Sequence, residues 1–100
     1  MDEPSGASTA GMVDCLARER DLWASQVVTL TARLRARESP TQIDQLNGML
    51  AAHEQWIRAK CHYSASIYEG GSLARVLASA CWRDTTAELA LDLLERFDEG

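Results

Sequence analysis

The chain has 100 residues, 46% hydrophobic and 25% charged, the composition of one folded domain rather than of a disordered segment or two domains. A formal net charge of -5 lacks the concentrated Lys/Arg surface that nucleic acid requires, and no apolar run approaches the roughly 18 to 20 residues of a membrane span. An acidic balance of this kind suits a basic protein partner instead.

Residues 1–10 are rich in Gly, Ser, Ala and Pro and read as a flexible lead to a single domain over 11–98. The N-terminus lacks the basic and apolar regions of a signal peptide, so export would require a signal removed ahead of Met1. Strong breakers then occur only at Ser39-Pro40 and Gly70-Gly71. Between residues 11 and 38, Met12, Leu16, Trp23, Val27, Leu30 and Leu34 recur at spacings of a helix face, with Arg, Glu and Asp opposite.

Ser39-Pro40-Thr41-Gln42 is a capping-box pattern, with Ser39 as N-cap, Pro40 at the first helical position and Gln42 reaching back. The second helix carries Ile43, Leu46, Leu50, His53, Ile57 and Cys61 on one stripe. Met49, Trp56, Tyr63 and Ile67 widen that stripe, which predicts a broad buried side. It is expected to end near Tyr68, before Gly70-Gly71 supplies left-handed backbone.

Ser72 is the expected N-cap of a third helix that buries Leu73, Val76, Leu77, Ala80, Cys81, Ala87, Ala90, Leu94 and Phe97, with Leu89 and Leu93 alongside. Strand alternation is absent. Short connections make neighbours antiparallel, so the predicted fold is all-α, an up-down-up three-helix bundle.

Cys61 and Cys81 flank the Gly-Gly turn at about the same height, roughly 12 to 15 Å from it at 1.5 Å per residue, and both stand on core stripes. This favours a disulfide between the second and third helices. Counting through the first hairpin puts Cys15 opposite about residue 62, so a Cys15 to Cys61 pairing and a fully reduced chain stay open. Cys15, Cys61, Cys81 and His62 also make a nominal Cys3His set. The close-spaced ligand pairs of a zinc site are missing, and no metal or cofactor is expected.

The run Trp56…Cys61…Glu69-Gly70-Gly71-Ser72…Cys81…Thr86 resembles the lysozyme inhibitor LprI-like N-terminal domain family of bacterial exported proteins. Gly71-Ser72, Cys81 and Thr86 stand at the family spacing, and Ala52 and Trp56 fit upstream; Cys15 looks like the family's N-terminal-helix cysteine. His53 replaces the family's Gln, Lys60 its Arg, and Leu89 a further Arg. Cys61 stands where Asp is usual, with Ser64 at the expected cysteine. The resemblance implies an exported helical domain in an oxidising compartment, periplasmic or secreted, with lysozyme inhibition as its best-known activity.

Two surfaces are candidates for partner binding. Asp84, Glu88, Asp92 and Glu95 recur at spacings that set four carboxylates along one face of the third helix, and Asp98 and Glu99 extend the charge. A solvated helix face is the plain reading; steering of a basic partner is the functional one. The turn Glu69-Gly70-Gly71-Ser72, held by a nearby disulfide, could enter a partner's groove, although a plain connector needs the same glycines. Trp23 and Trp56 are expected in the core, and Trp82 is expected to be partly exposed as an interface anchor.

Glycosidase chemistry needs two carboxyls across a cleft, which a compact bundle face does not offer, and no nucleophile or phosphate-loop pattern occurs. The expected function is therefore non-enzymatic binding: inhibition of a lysozyme-like muramidase by covering its cleft. The alternative is a structural or adaptor bundle that pairs with itself, as a homodimer, or with another helical protein.

Overall fold

The computed structural model describes residues 7–68 and 71–98. After a π-helical turn at Ala7–Gly11 come three α-helices, α1 (Met12–Arg37), α2 (Pro40–Ser66) and α3 (Ser72–Asp98), with no strand among the described residues. The arrangement is up-down-up. The break between α1 and α2 forms as its residues dictate. Gln42 N–H donates to Ser39 Oγ at 3.2 Å, Ser39 N–H donates to Gln42 Oε1 at 2.9 Å, and Pro40 leads the helix.

At the second turn the chain tightens through i to i+3 bonds: Tyr68 N–H to the Ala65 carbonyl, Gly71 N–H to Tyr68, and Ala74 N–H to Gly71, each 3.1 Å. Two details differ from expectation. Ser72 is the first helical residue rather than the N-cap, and the backbone of Gly71 does not lie in the left-handed region. Gly70 and Glu69 lie outside the described residues.

Cys61 and Cys81 form a disulfide, with Cα atoms 5.4 Å apart. The bridge joins α2 to α3 from inside the fold, since Cys61 is 1% exposed. It also takes two sulfurs out of the Cys3His set. Cys15 is free and exposed, and it does not join the sulfur layer. The reason is angular: Val13, Leu16 and Ala17 are the half-buried residues around that turn, and Cys15 points about 100° away from Leu16 and about 200° from Val13 and Ala17.

The three helices do not close into a triangle. α1 and α2 each pack along α3, and no comparable packing joins α1 to α2. Helices of 26 and 27 residues are about 40 Å long. Side by side they make an elongated slab of 54 × 26 × 17 Å, with a radius of gyration of 16.4 Å against about 13 Å for a compact chain of this length.

The main core is Leu30 and Leu34 of α1 against Leu89 and Leu93 of α3, with Val27, Leu46, Leu50 and Phe97 packed onto it. Ile57 and Cys61 are the buried residues of α2. The open arrangement overturns part of the predicted core. Met12, Leu73 and Leu94 are exposed, and so is the whole widened stripe of α2: Met49 is 41%, Trp56 57%, Tyr63 73% and Ile67 70% exposed. A helix with one close neighbour buries one stripe, and α2 carries two.

Candidate partner-binding surface

The four carboxylates of α3 are all exposed, as their spacing predicts. Asp84 to Glu95 spans eleven residues, so the row is about 17 Å long. Asp84 accepts from Arg83 Nε at 2.8 Å, and Arg83 Nη1 also donates to Glu19 Oε1 of α1 at 2.8 Å. These bonds, to Glu19 first and then Asp84, hold the Arg83 guanidinium above its ordinary pKa. Glu88 approaches Lys60 Nζ at 3.9 Å. Asp92 and Glu95 make no ion pair among the described residues, which leaves the C-terminal half of the row uncompensated.

Lys60 is held in place from below. Its Nζ donates to Thr85 Oγ1 at 3.1 Å, and that hydroxyl lies 3.9 Å from Cys81 Sγ. Thr85 is buried at 1% exposure, so a bonded oxygen there satisfies what would otherwise be an isolated polar group. Disulfide, threonine and lysine together fix the height of α2 against the carboxylate row.

The predicted site residues do not form one surface. Gly71 and Ser72 are exposed at the hairpin end, about 18 Å along α3 from Asp84 and about 35 Å from Glu95. Trp82 is half-buried and stands about 160° around α3 from Asp84. It lines a groove of about 470 Å³ between α1 and α2, whose wall includes Val27, Val28, Ile57 and Leu89. That groove opens on the other side of the slab from the carboxylates. Trp82 therefore lies on a different face from Asp84, Glu88, Asp92 and Glu95.

What lies beside the carboxylates is the outer stripe of α2. Met49 and Asp92 line one hollow of about 400 Å³, together with Gln45 and Arg96. Lys60, about three turns further along, meets Glu88. Trp56 lies between those two levels, and Tyr63 lies one turn beyond Lys60, toward the level of Asp84. The sequence held a signal for this: large residues at 49, 56 and 63 with small ones at Ala52, Ala59 and Ser66 repeat every seven positions, apart from the Leu50, Ile57 and Cys61 stripe. Read as one broad face, the two stripes merged.

Among the described residues no group of three or more His, Cys, Asp or Glu side chains could hold a metal ion, and no helix is long and apolar enough to cross a membrane. The arrangement offers ionic and apolar contact. Neither a curated protein nor a solved structure matches the chain. The sequence does match the profile of one family, described as lysozyme inhibitor LprI, over residues 1–93. A match across nearly the whole chain, on a helical domain stapled between its last two helices, places this protein in the lysozyme inhibitor LprI family.

Proposed function

We propose that this protein inhibits lysozyme-like muramidases by binding them and covering the substrate cleft. The observation that carries the reading is the family match over residues 1–93. The exposed row of Asp84, Glu88, Asp92 and Glu95 supports a basic partner, because a single-sign row accelerates encounter with the opposite charge. The end of the α2–α3 hairpin is the occluding part. Gly71, Ser72, Tyr68 and Leu73 are exposed there, and the Cys61–Cys81 bridge pre-orders the hairpin so that entering a cleft costs little ordering entropy. Glu69 and Gly70 belong to the same end by sequence, and Trp82 on the opposite side of the slab is a secondary anchor.

The bridge also supports an oxidising compartment. A structural disulfide in a domain of this size fits the periplasm or the exterior of the cell. The test is lysis of purified cell wall by lysozyme with and without the protein, read beside native mass measurement of a complex. Inhibition with a one-to-one complex is expected. A Leu73→Ser and Tyr68→Ser pair should weaken inhibition, and Asp92→Lys should slow association. Undiminished lysis at large molar excess, with no complex detected, rejects the reading.

A further inference from the structure

α2 is apolar on two sides, and only one side is used. Its buried stripe, Leu50, His53, Ile57 and Cys61, faces α3. Its outer stripe runs from Met49 through Trp56 and Tyr63 to Ile67, eighteen residues or about 27 Å, and all four side chains are exposed. The ionised residues of α2 avoid it. Asp44, Glu54 and Arg58 lie on the far side of the helix, and Lys60 at its border is drawn toward α3 by Thr85 and Glu88. The small residues Ala52, Ala59 and Ser66 leave the faces of Trp56 and Tyr63 uncovered.

An exposed aromatic strip with a carboxylate row alongside has a specific chemical complement. Aromatic residues dominate interface hot spots, and a guanidinium stacks on an aromatic face while its N–H groups bond to carboxylates. The chain already performs half of this chemistry on itself: the Arg33 and Arg37 guanidiniums lie 4.4 and 4.5 Å from the Phe97 ring centroid. We infer that Met49, Trp56, Tyr63 and Ile67, flanked by Glu88 and Asp92, form the adhesive surface for the inhibited enzyme and receive arginine side chains of its basic face.

This rests on the inhibitor reading, and it adds the α2–α3 seam to the hairpin end and the carboxylate row. Trp82 and its groove lie outside it. Charge complementarity selects a basic partner over a second copy, because an antiparallel pairing of two α2 stripes sets both carboxylate rows on the same side of the pair.

The experiment measures the Kd of the full chain for a purified basic lysozyme, and in parallel for an oligo-arginine peptide. The variants are Trp56→Ala with Tyr63→Ala, and Leu22→Ser as a control at an equally exposed apolar residue of α1. Since both aromatics are exposed, circular dichroism and melting temperature should stay as in the parent chain. The double variant should bind lysozyme at least about 30-fold more weakly, as loss of a central aromatic anchor does, while Leu22→Ser binds as the parent.

Equal affinity of the double variant and the parent for lysozyme overturns the inference. If lysozyme binds neither but oligo-arginine binding still depends on Trp56 and Tyr63, the inhibitor reading fails and the surface stands. If the parent chain itself binds neither lysozyme nor oligo-arginine, both readings are overturned. A free-chain mass of twice 11.0 kDa that reverts in the double variant assigns the stripe to a second copy, and that too overturns the inference.

Discussion

Glu38 ends α1 and ties it to the far end of α3. Its backbone N–H donates to the Leu34 carbonyl at 2.8 Å, and its carboxylate accepts from Arg96 Nε and Nη2 at 3.1 and 3.2 Å. A negative group at a helix C-terminus is unfavourable by itself. The Arg96 bonds first, then the charges of Arg96 and Arg37, reverse this and hold the Glu38 pKa below its ordinary value. Because the native pKa is the lower one, the contribution to stability is present above the ordinary glutamate range and is lost as pH falls through the native value. Glu38→Gln should therefore melt below the parent at neutral pH, and the two should converge in acid once the carboxyl is protonated in both states. Thermal denaturation at a series of pH values reads this directly.

At the scale of elements, the junction between α1 and α2 shows local chemistry acting alone. Ser39, Pro40 and Gln42 lie next to one another in sequence, and their bonds need no other part of the fold. Ser39→Ala leaves the Gln42 N–H without its oxygen and should cost about 1 kcal/mol, read from urea unfolding, with little change in the slope. The α2–α3 end behaves differently. Its i to i+3 bonds leave the hairpin tip with little side-chain packing of its own, and Tyr68 and Leu73 remain exposed. Helix boundaries were legible because caps and breakers are local. The wide apolar arc of α2 was legible too, but its division between an inner and an outer stripe was not. Period 3.6 reports which residues share a side, whereas exposure depends on how many neighbours that side meets.

The whole molecule is an open slab, and the bridge between Cys61 and Cys81 compensates for a small core. One cluster built on Leu30, Leu34, Leu89 and Leu93 holds α1 against α3, while the sulfurs and Ile57 hold α2 against α3 nearer the other end. A loop closed across a sequence separation of 20 contributes about 3 kcal/mol by constraining the unfolded chain. Cys61→Ala with Cys81→Ala should lower the melting temperature by more than about 10 °C. Most of that loss should reappear in the parent chain under reducing conditions. An exported protein, away from cellular reductant, would keep the bridge.

The sequence alone determined three helices, their breaks and the capping box, and it made residues 61 and 81 the favoured pair, because each follows from backbone chemistry or from counting along a rod of fixed rise; the structure chose that pair over Cys15 with Cys61. The exposed carboxylate row was equally readable, since solvated charge needs no partner. Tertiary structure decided that α1 and α2 both pack chiefly along α3, with little backbone packing between them beyond such contacts as Arg35 Nη2 to Asn47 Oδ1 at 2.8 Å. That choice turned Trp56 and Tyr63 outward beside the carboxylates, sent Trp82 to the opposite side, and left Cys15 in solvent. The physical reason is that helix periodicity fixes the direction of a side chain from its own axis, while the packing of the other two helices fixes what lies in that direction.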